Sequence, residues 1–314
     1  VGVFVGFQGE WYSIEKDTYS FYDSTGFADY RLISETGYTS EEMNQIKEID
    51  GVSKVSRYIS IKTNESKEND VVAVTITTDS EVSGFKLISG EQYDENALKS
   101  VWISDQYASK NNYGLDDDIT LKYGSLSITG QIKGLIKSSE YLICTPDENQ
   151  LMPDFNTYGY VYISPRMYKD ILGGFDFYSE IHVISNLSKK EFSDSANEKL
   201  GKTNLILTKD EIISFSEAQG EANEGKTMAS TIPVIFLGIA ILIMATTMQR
   251  LTINEKTQIG TLKALGFRDA KIVKHYTLFG FAIGLVGSLL GIGLGYFVAW
   301  YIFNPSGSMG TYFD

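Results

Sequence analysis

The most specific chemical pattern in the chain is a match to a phosphate-binding loop. Residues 220–227 read Gly-Glu-Ala-Asn-Glu-Gly-Lys-Thr, which fits G-x-x-x-x-G-K-T at every position. A phosphate loop follows a buried strand, so that its backbone N–H groups point at the phosphates. Here the preceding residues 216–219 are polar and are predicted to be helical, and Glu221 and Glu224 would repel phosphate. We therefore expect a chance match, with the two glycines adding flexibility to a helix.

Other catalytic or metal-binding patterns are weak. The two histidines are His182, in an apolar strand-like run, and His275, just before an uncharged stretch. Neither has a His or Cys partner at metal-ligand spacing. The run Asp116–Asp118 lacks calcium-loop spacing and is predicted to form a turn, and Cys144 is the single cysteine. We expect no cofactor and no metal, and a hydrolase is only a third hypothesis because no nucleophile–base pair can be nominated.

The elements that position these residues are indicated by the distribution of charge. Two long stretches, 227–249 and 276–303, contain no charged residue. About 20 helical residues cross a hydrocarbon core of roughly 30 Å, so both are predicted to be transmembrane helices rather than buried helices of a soluble protein. Between them, residues 250–275 hold six basic and two acidic side chains. Because basic loops face the cytoplasm, this loop is predicted to be cytoplasmic and both flanks to lie outside.

The segment 8–226 is therefore predicted to be extracellular. It holds 21 Lys and Arg against 37 Asp and Glu, an acidity that argues against nucleic acid as a partner. Capping boxes at Thr39–Glu42, Ser188–Glu191 and Thr208–Glu211 predict helix starts, and the third helix is expected to run into the first complete span. Short runs rich in Val, Ile and Tyr predict strands at 28–33, 55–61, 71–78, 101–104, 119–123, 127–136, 160–164 and 180–184.

Both ends of the chain are expected to be truncated. Residues 1–7 are uncharged and lack an initiating Met, and they are interpreted as the outer end of an earlier span. Residues 304–314 are interpreted as an incomplete extracellular loop. The expected fold class is a membrane protein with transmembrane α-helices and an α+β extracellular domain inserted between the first and second spans.

The last predicted span has glycines at the spacing of packed membrane helices. G-x-x-x-G steps let two helices approach closely in lipid, although glycine is also simply common in membrane spans. We expect tight packing against a helix of the same chain or of a second copy. The glycines concerned are Gly280, Gly284, Gly287, Gly291 and Gly295.

The basic loop contains apolar residues that a topogenic charge cluster would not need. Ile259, Leu262, Leu265 and Phe267 are interspersed with Lys and Arg. The pattern predicts a short amphipathic helix lying at the inner membrane face. Gly266 is expected to end this helix.

This loop also carries the residues of a known family signature. Residues 258–266 read Gln-Ile-Gly-Thr-Leu-Lys-Ala-Leu-Gly, which resembles the E-I-G-x-L-[KR]-A-L-G signature of FtsX/MacB-type ABC transporter permeases, with Gln258 where Glu is usual. The stretches 26–34 with 50–52, and 89–91 with 113–116, resemble the core outer domain of a large FtsX-like subgroup common in Firmicutes. The chain is thus identified as a fragment of such a permease.

The resemblance implies a non-catalytic membrane subunit that works with a cytoplasmic ABC ATPase subunit and a second permease half or copy, in contact with membrane lipid. ATPase closure would move the spans and, through a helix, the outer domain, in export or mechanotransmission with an unknown extracellular substrate or partner. A second hypothesis is a membrane-anchored sensor or regulator whose outer domain binds a peptide or cell-wall enzyme without transport. The implied ATPase-coupling residues are Gln258, Ile259, Gly260, Leu262, Lys263, Ala264, Leu265 and Gly266.

Overall fold

The computed structural model describes residues 2–146, 150 and 152–303. The predicted loop 304–314 therefore lies outside the described residues. The described chain divides into two compact units. One unit comprises residues 16–219, and the other comprises the residues up to 15 together with those from 220 onward.

The unit 16–219 is built on one mixed sheet of ten strands. Its order is β10-β1-β9-β2-β3-β8-β5-β7-β4, and β6 pairs with β2 and β7. Only the β3–β8 and β5–β7 pairs are parallel. The strands are β1 (Tyr30–Ile33), β2 (Val52–Glu65), β3 (Val71–Thr77), β4 (Lys86–Gly90), β5 (Ser100–Ser104), β6 (Asp118–Tyr123), β7 (Leu126–Lys137), β8 (Tyr158–Ile163), β9 (Glu180–Ser185) and β10 (Leu205–Thr208).

All eight predicted strands are present, and two further strands were not predicted. The missed strands, β4 and β10, are the first and last in the sheet order. Both are short, at five and four residues, and each has a neighbour on one side only. Most of their side chains are exposed or half-buried, so neither strand carries the alternating apolar pattern by which strands are predicted.

Short helices cover this sheet, and two of them begin at predicted capping boxes. Glu42 and Glu191 each accept hydrogen bonds from the backbone N–H and hydroxyl of their capping residues, Thr39 and Ser188. Asp116–Asp118 includes the predicted turn, with Asp116 at a φ of 67°. The helices are α2 (Ser40–Lys47), α3 (Asp105–Lys110), α4 (Pro165–Ile171) and α5 (Lys189–Leu200).

The third capping box does not open the helix that it was expected to open. Glu211 accepts hydrogen bonds from the backbone N–H and hydroxyl of Thr208, but these residues form a 3₁₀ turn, Lys209–Glu211. Ile212 is then extended, with φ −101° and ψ 128°, so the α-helix begins only at Ile213. The prediction of the start was therefore wrong by one short turn.

The remaining helices are long. Within α6, residues 220–227 are helical throughout, so no phosphate loop exists there. Helices α6 and α8 each contain an apolar stretch long enough to cross a membrane, and they include the predicted spans 227–249 and 276–303. Helix α1 continues well past residue 7, where the outer end of a first span was expected. These helices are α1 (Gly2–Thr25), α6 (Ile213–Asn254), α7 (Lys256–Ala264) and α8 (Asp269–Phe303).

Packing of α5 on the sheet is expected to be a main source of stability in the unit 16–219. Phe192 is fully buried among Tyr30, Ile181 and other core residues, and its ring stacks on Tyr30 with centroids 4.5 Å apart. Phe192→Ala should lower the free energy of unfolding by about 3–5 kcal/mol, because it removes buried surface and leaves a cavity. Denaturant unfolding followed by near-ultraviolet circular dichroism measures this, with exposed Lys190→Ala as the control. Equal stability of both variants would contradict the assignment of this core.

Candidate coupling site

The start of α7 is tied to α8 by a side-chain hydrogen bond. Glu255 lies between the end of α6 and the start of α7 and makes no side-chain cap. Its carboxylate instead accepts a hydrogen bond from the hydroxyl of Tyr276 in α8. The junction between α6 and α7 is thereby held against the third helix of this group.

The end of α7 is closed by a left-handed glycine, as predicted. Gly266 has a φ of 85°, a conformation that residues with a Cβ rarely adopt. Its N–H donates to the carbonyl of Lys263, and the N–H of Phe267 donates to the carbonyl of Leu262. This pair of bonds is a Schellman motif, which satisfies two of the last carbonyls of the helix.

The end of α7 is also linked to the start of α8 through charge. Lys263 Nζ lies 2.8 Å from Asp269 Oδ1. Both side chains are more than half exposed. This ion pair therefore helps to orient the end of α7 relative to α8 but adds little to the free energy of unfolding. Helix α7 is therefore attached at each of its ends to the first turns of α8.

The predicted coupling residues do not share one face of α7. Ile259 is half-buried and, with Lys263, lines a groove that Met244 of α6 and Val273 of α8 also line. All residues of the predicted set except Ile259 are exposed, and the apolar side chain of Leu265 is 71 % exposed. The exposed members are Gln258, Gly260, Leu262, Lys263, Ala264, Leu265 and Gly266.

The glycines of α8 differ in what they contact. A Cβ on Gly295 would lie 2.6 Å from the carbonyl oxygen of Gly2 in α1, and a Cβ on Gly2 would lie 2.5 Å from that of Gly291. These three glycines thus allow backbone contact between α1 and α8. Gly280 faces Met248 of α6. Added Cβ atoms at Gly284 and Gly287 would meet nothing within 4 Å among the described residues.

The two glycines of residues 220–227, the segment that matches the phosphate-loop pattern, also differ in what surrounds them. Gly220 has open space where a Cβ would lie, whereas at Gly225 a Cβ would lie 2.9 Å from Cβ of Trp11. Lys226 lies over the ring of Trp11, 5.5 Å from its centroid. Gly225 is therefore a close-packing residue between α6 and α1, rather than the source of flexibility that was expected.

Within the unit 16–219, the last turns of α1 meet the first turn of α6. The hydroxyl of Tyr22 donates to the carbonyl of Ser214 at 2.5 Å. Phe215 lies against Tyr22 and Phe27, with ring centroids 5.2 and 6.0 Å away. Burial raises the pKa of the Tyr22 hydroxyl, so it remains a proton donor at neutral pH. We call the set Tyr22, Thr25, Phe27, Ser214 and Phe215 the helix junction.

A short 3₁₀ turn, Ser139–Tyr141, attaches the sheet to this helix junction. The hydroxyls of Thr25 and Ser139 are hydrogen-bonded at 2.5 Å. Ser214 donates its hydroxyl to the carbonyl of Glu140 at 2.8 Å. The turn directly follows β7 and lies in sequence far from both helices, so sequence analysis did not find it.

A buried ion pair connects the same turn to β1. Arg31 Nη2 lies 2.7 Å from Glu140 Oε2, and the two side chains are 10 % and 3 % exposed. The guanidinium also lies over the ring of Phe27, 5.0 Å from its centroid. Among the described residues, Arg31 Nε and Glu140 Oε1 have no hydrogen-bond partner. The pair is therefore desolvated and only partly compensated.

The structure also brings together a Ser–His–Glu arrangement that the sequence did not reveal. His182 Nδ1 lies 2.6 Å from Ser83 Oγ, and its Nε2 lies 2.9 Å from Glu180 Oε2. Burial raises the pKa of Glu180, but the hydrogen bond from His182 and the charges of His182 and Arg31 outweigh it, and the pKa is lowered. Ser83 and His182 are fully buried, and His182 stacks on Tyr58. His182 is thus a packed core residue, and a substrate could not reach Ser83.

No group of three or more His, Cys, Asp or Glu side chains among the described residues could hold a metal ion. Exposed apolar side chains, surrounded by basic ones, lie at the turn between two long apolar helices.

The segment that contains the larger part of α6, together with α7 and α8, matches a known protein family. Residues 230–313 match the FtsX-like permease C-terminal family. The chain carries an FtsX-like permease domain. The resemblance drawn from residues 258–266 is thereby confirmed for this part of the chain, which also contains two helices long and apolar enough to cross a membrane.

The solved structures that resemble this chain are distant in sequence. The extracellular domain of the noncanonical ABC-type transporter YknZ from Gram-positive bacteria is 14 % identical, covers 58 % of this chain and 98 % of its own, and has a TM-score of 0.40. The periplasmic region of MacB from Actinobacillus actinomycetemcomitans is 13 % identical, with coverages of 64 % and 98 % and a TM-score of 0.40. A comparison with curated proteins finds no match. These similarities transfer no residue's role to this chain.

The buried Arg31–Glu140 pair should behave as a coupled unit. Arg31→Met leaves the Glu140 carboxylate buried without its partner, and should cost about 3–5 kcal/mol of stability. Adding Glu140→Leu removes the orphaned charge and should restore most of that loss. The measurement is a double-mutant cycle by denaturant unfolding of the purified protein. The largely exposed pair Lys54–Glu81 is the control, and simple additivity at Arg31 and Glu140 would refute the coupling.

Proposed function

We propose that the chain is the permease subunit of an FtsX/MacB-type ABC transporter. In this proposal a separate cytoplasmic ATPase subunit docks on α7, and its ATP-driven closure moves the extracellular domain, residues 8–226. The proposal assigns residues 250–275 to the cytoplasm, 227–249 and 276–303 to membrane spans, 1–7 to the end of an earlier span, and 304–314 to an outer loop.

The observation that carries the proposal is the way α7 is held. Both ends of α7 are attached to α8, by Tyr276 with Glu255 and by Lys263 with Asp269. Leu262 and Leu265 are nevertheless exposed, at 37 % and 71 %. Exposed apolar side chains on a positioned helix are what a docking partner can bury with little loss of conformational entropy.

The long helix α6 supports the second half of the proposal. It spans 42 residues, which correspond to about 60 Å of helix. Its first turn carries Ser214, which is hydrogen-bonded both to Tyr22 and to the turn at Glu140. A displacement of this first turn would therefore be passed to β7 and β1 by hydrogen bonds and by the Arg31–Glu140 pair.

Docking on α7 is tested by co-purification of the ATPase with the permease. Leu265→Asp should lower the affinity at least about tenfold, because burial of a leucine contributes roughly 1.5–3 kcal/mol and a buried carboxylate is costly. Leu205→Asp, at a similarly exposed position in β10, is the matched control and should bind as wild type. Undiminished association of the Leu265→Asp variant would show that the ATPase docks elsewhere.

Transmission along α6 is tested by interrupting the helix without touching α7. Glu224→Pro should add a second helix-weakening position besides Pro233, at an exposed site and at a cost of about 3 kcal/mol or more, and so kink or interrupt α6, whereas Glu224→Ala should not. We expect the proline variant to bind the ATPase normally but to lose the ATP-dependent fluorescence change of a probe attached at Tyr123→Cys. A retained change would argue against transmission through α6. Association with no ATP-dependent change even in wild type would favour the sensor hypothesis.

A further inference from the structure

A groove opens between the last turns of α6, helix α7 and the first half of α8. Its volume is about 680 Å³, within the range of roughly 300–1,000 Å³ that is typical of small-ligand pockets. All of its lining residues belong to the unit that contains these three helices. The function proposed for this chain does not require a groove at this place.

The groove is amphipathic along its length. One end, toward the middle of the two long helices, is lined by Met244, Met248 and Gly280. The other end, beside α7, is lined by Lys263 and Asp269. A ligand that matches this gradient has an apolar chain and a single polar head.

The apolar end is shaped by a glycine and an adaptable side chain. A Cβ at Gly280 would lie 3.0 Å from Cε of Met248, so a larger residue there would occupy the space between α6 and α8. Methionine is unbranched and flexible, and it fits irregular apolar surfaces. The apolar end can therefore accept a chain without a fixed shape.

The polar end lies in a field of positive charge. Lys263 is paired with Asp269, 2.8 Å away, and Lys271 lies over the ring of Phe267. Four further basic side chains of residues 250–275 form no ion pair among the described residues, so this stretch keeps a net positive charge despite Glu255 and Asp269. These side chains are Arg250, Lys256, Arg268 and Lys274.

We propose that this groove binds one anionic phospholipid of the cytoplasmic leaflet, with an acyl chain along Met244, Met248 and Gly280 and the phosphate beside Lys263. Basic pockets between membrane helices on the cytoplasmic side bind anionic head groups. A soluble phosphate would leave the apolar end unfilled, and a helix of a second copy would gain nothing from the surplus of basic charge. The net positive charge of residues 250–275, which surround the Lys263–Asp269 pair at the groove mouth, therefore favours a lipid over either alternative.

Such a lipid would contact all three helices at once. Its chain would pack between α6 and α8, and its phosphate would compete with Asp269 for Lys263 of α7. The orientation of α7 relative to α6 and α8 would then depend on the lipid composition of the membrane. This property is independent of whether an ATPase docks on the exposed face of α7.

The test is native mass spectrometry of the purified protein in detergent, titrated separately with phosphatidylglycerol and with phosphatidylcholine of the same acyl chains. The first should bind at least about fivefold more tightly than the second, and Lys263→Gln should remove about that factor for phosphatidylglycerol alone. Lys274→Gln removes the same charge from the loop without lining the groove and should leave the preference in place.

A second variant tests the apolar end. Gly280→Leu should fill the groove and reduce retention of both lipids, whereas Gly287→Leu, on the same helix with open space around it, should not. If Gly280→Leu does not fold, the comparison of Lys263→Gln with Lys274→Gln still tests the proposal.

Three outcomes would overturn the proposal. The first is equal affinity for both lipids in wild type, and the second is an equal effect of Lys263→Gln and Lys274→Gln. The third is absence of bound lipid together with efficient disulfide formation between copies carrying Thr277→Cys, which would show a second copy in the groove.

Discussion

Backbone N–H and C=O groups inside a bilayer have no water to bind, so each must be satisfied within its own segment. This constraint accounts for the continuous helices α6 and α8, whose central parts contain no charge, although Pro233 inside α6 has no N–H to donate. It also confines irregular backbone to their ends. The connection between them contains one short helix, two attachments to α8 and a left-handed glycine. The polar chemistry of this unit is therefore concentrated at the turn, and the candidate coupling site lies there.

The unit 16–219 meets a different constraint, which is the cost of burying charge. Arg31 and Glu140 are almost fully buried, and each retains an atom without a partner among the described residues. A pair of this kind is weak evidence for stability. Its position is informative because it lies where β1, the Ser139–Tyr141 turn and the helix junction meet. An incompletely satisfied pair is easier to rearrange than a packed apolar core, which suits the place where the proposed function requires displacement to be transmitted.

The sequence predicted the parts of this protein that rest on local patterns. Two capping boxes, eight strands, the uncharged stretches and the end of α7 at Gly266 are visible in residues that are close together in the chain. The missed strands β4 and β10 are short and lie at the edges of the sheet. The helix start after Thr208 was wrong because the capping box closed on a 3₁₀ turn instead.

Long-range contacts could not be predicted in the same way. Arg31 and Glu140 are 109 positions apart in the sequence, and nothing local marks either as a partner of the other. The same holds for Ser83 and His182, which are 99 positions apart. The contact between Gly225 and Trp11 was masked by a motif that suggested another role. Division of the signature into a groove-lining face with Ile259 and an exposed face with Leu265 required the positions of α6 and α8.

The continuous length of α6 limits which insertions the sequence of this protein can accept during evolution. In a helix each residue turns the chain by about 100°, so a single inserted residue rotates everything beyond it by that angle. Ala222 and Ala229 are buried, and Met244 and Met248 line the groove. A one-residue insertion between these pairs would move one face out of contact, whereas seven residues would nearly restore the phase, with a drift of about 20°. Substitutions in this helix can accumulate singly, but its length can change only in steps of about two turns.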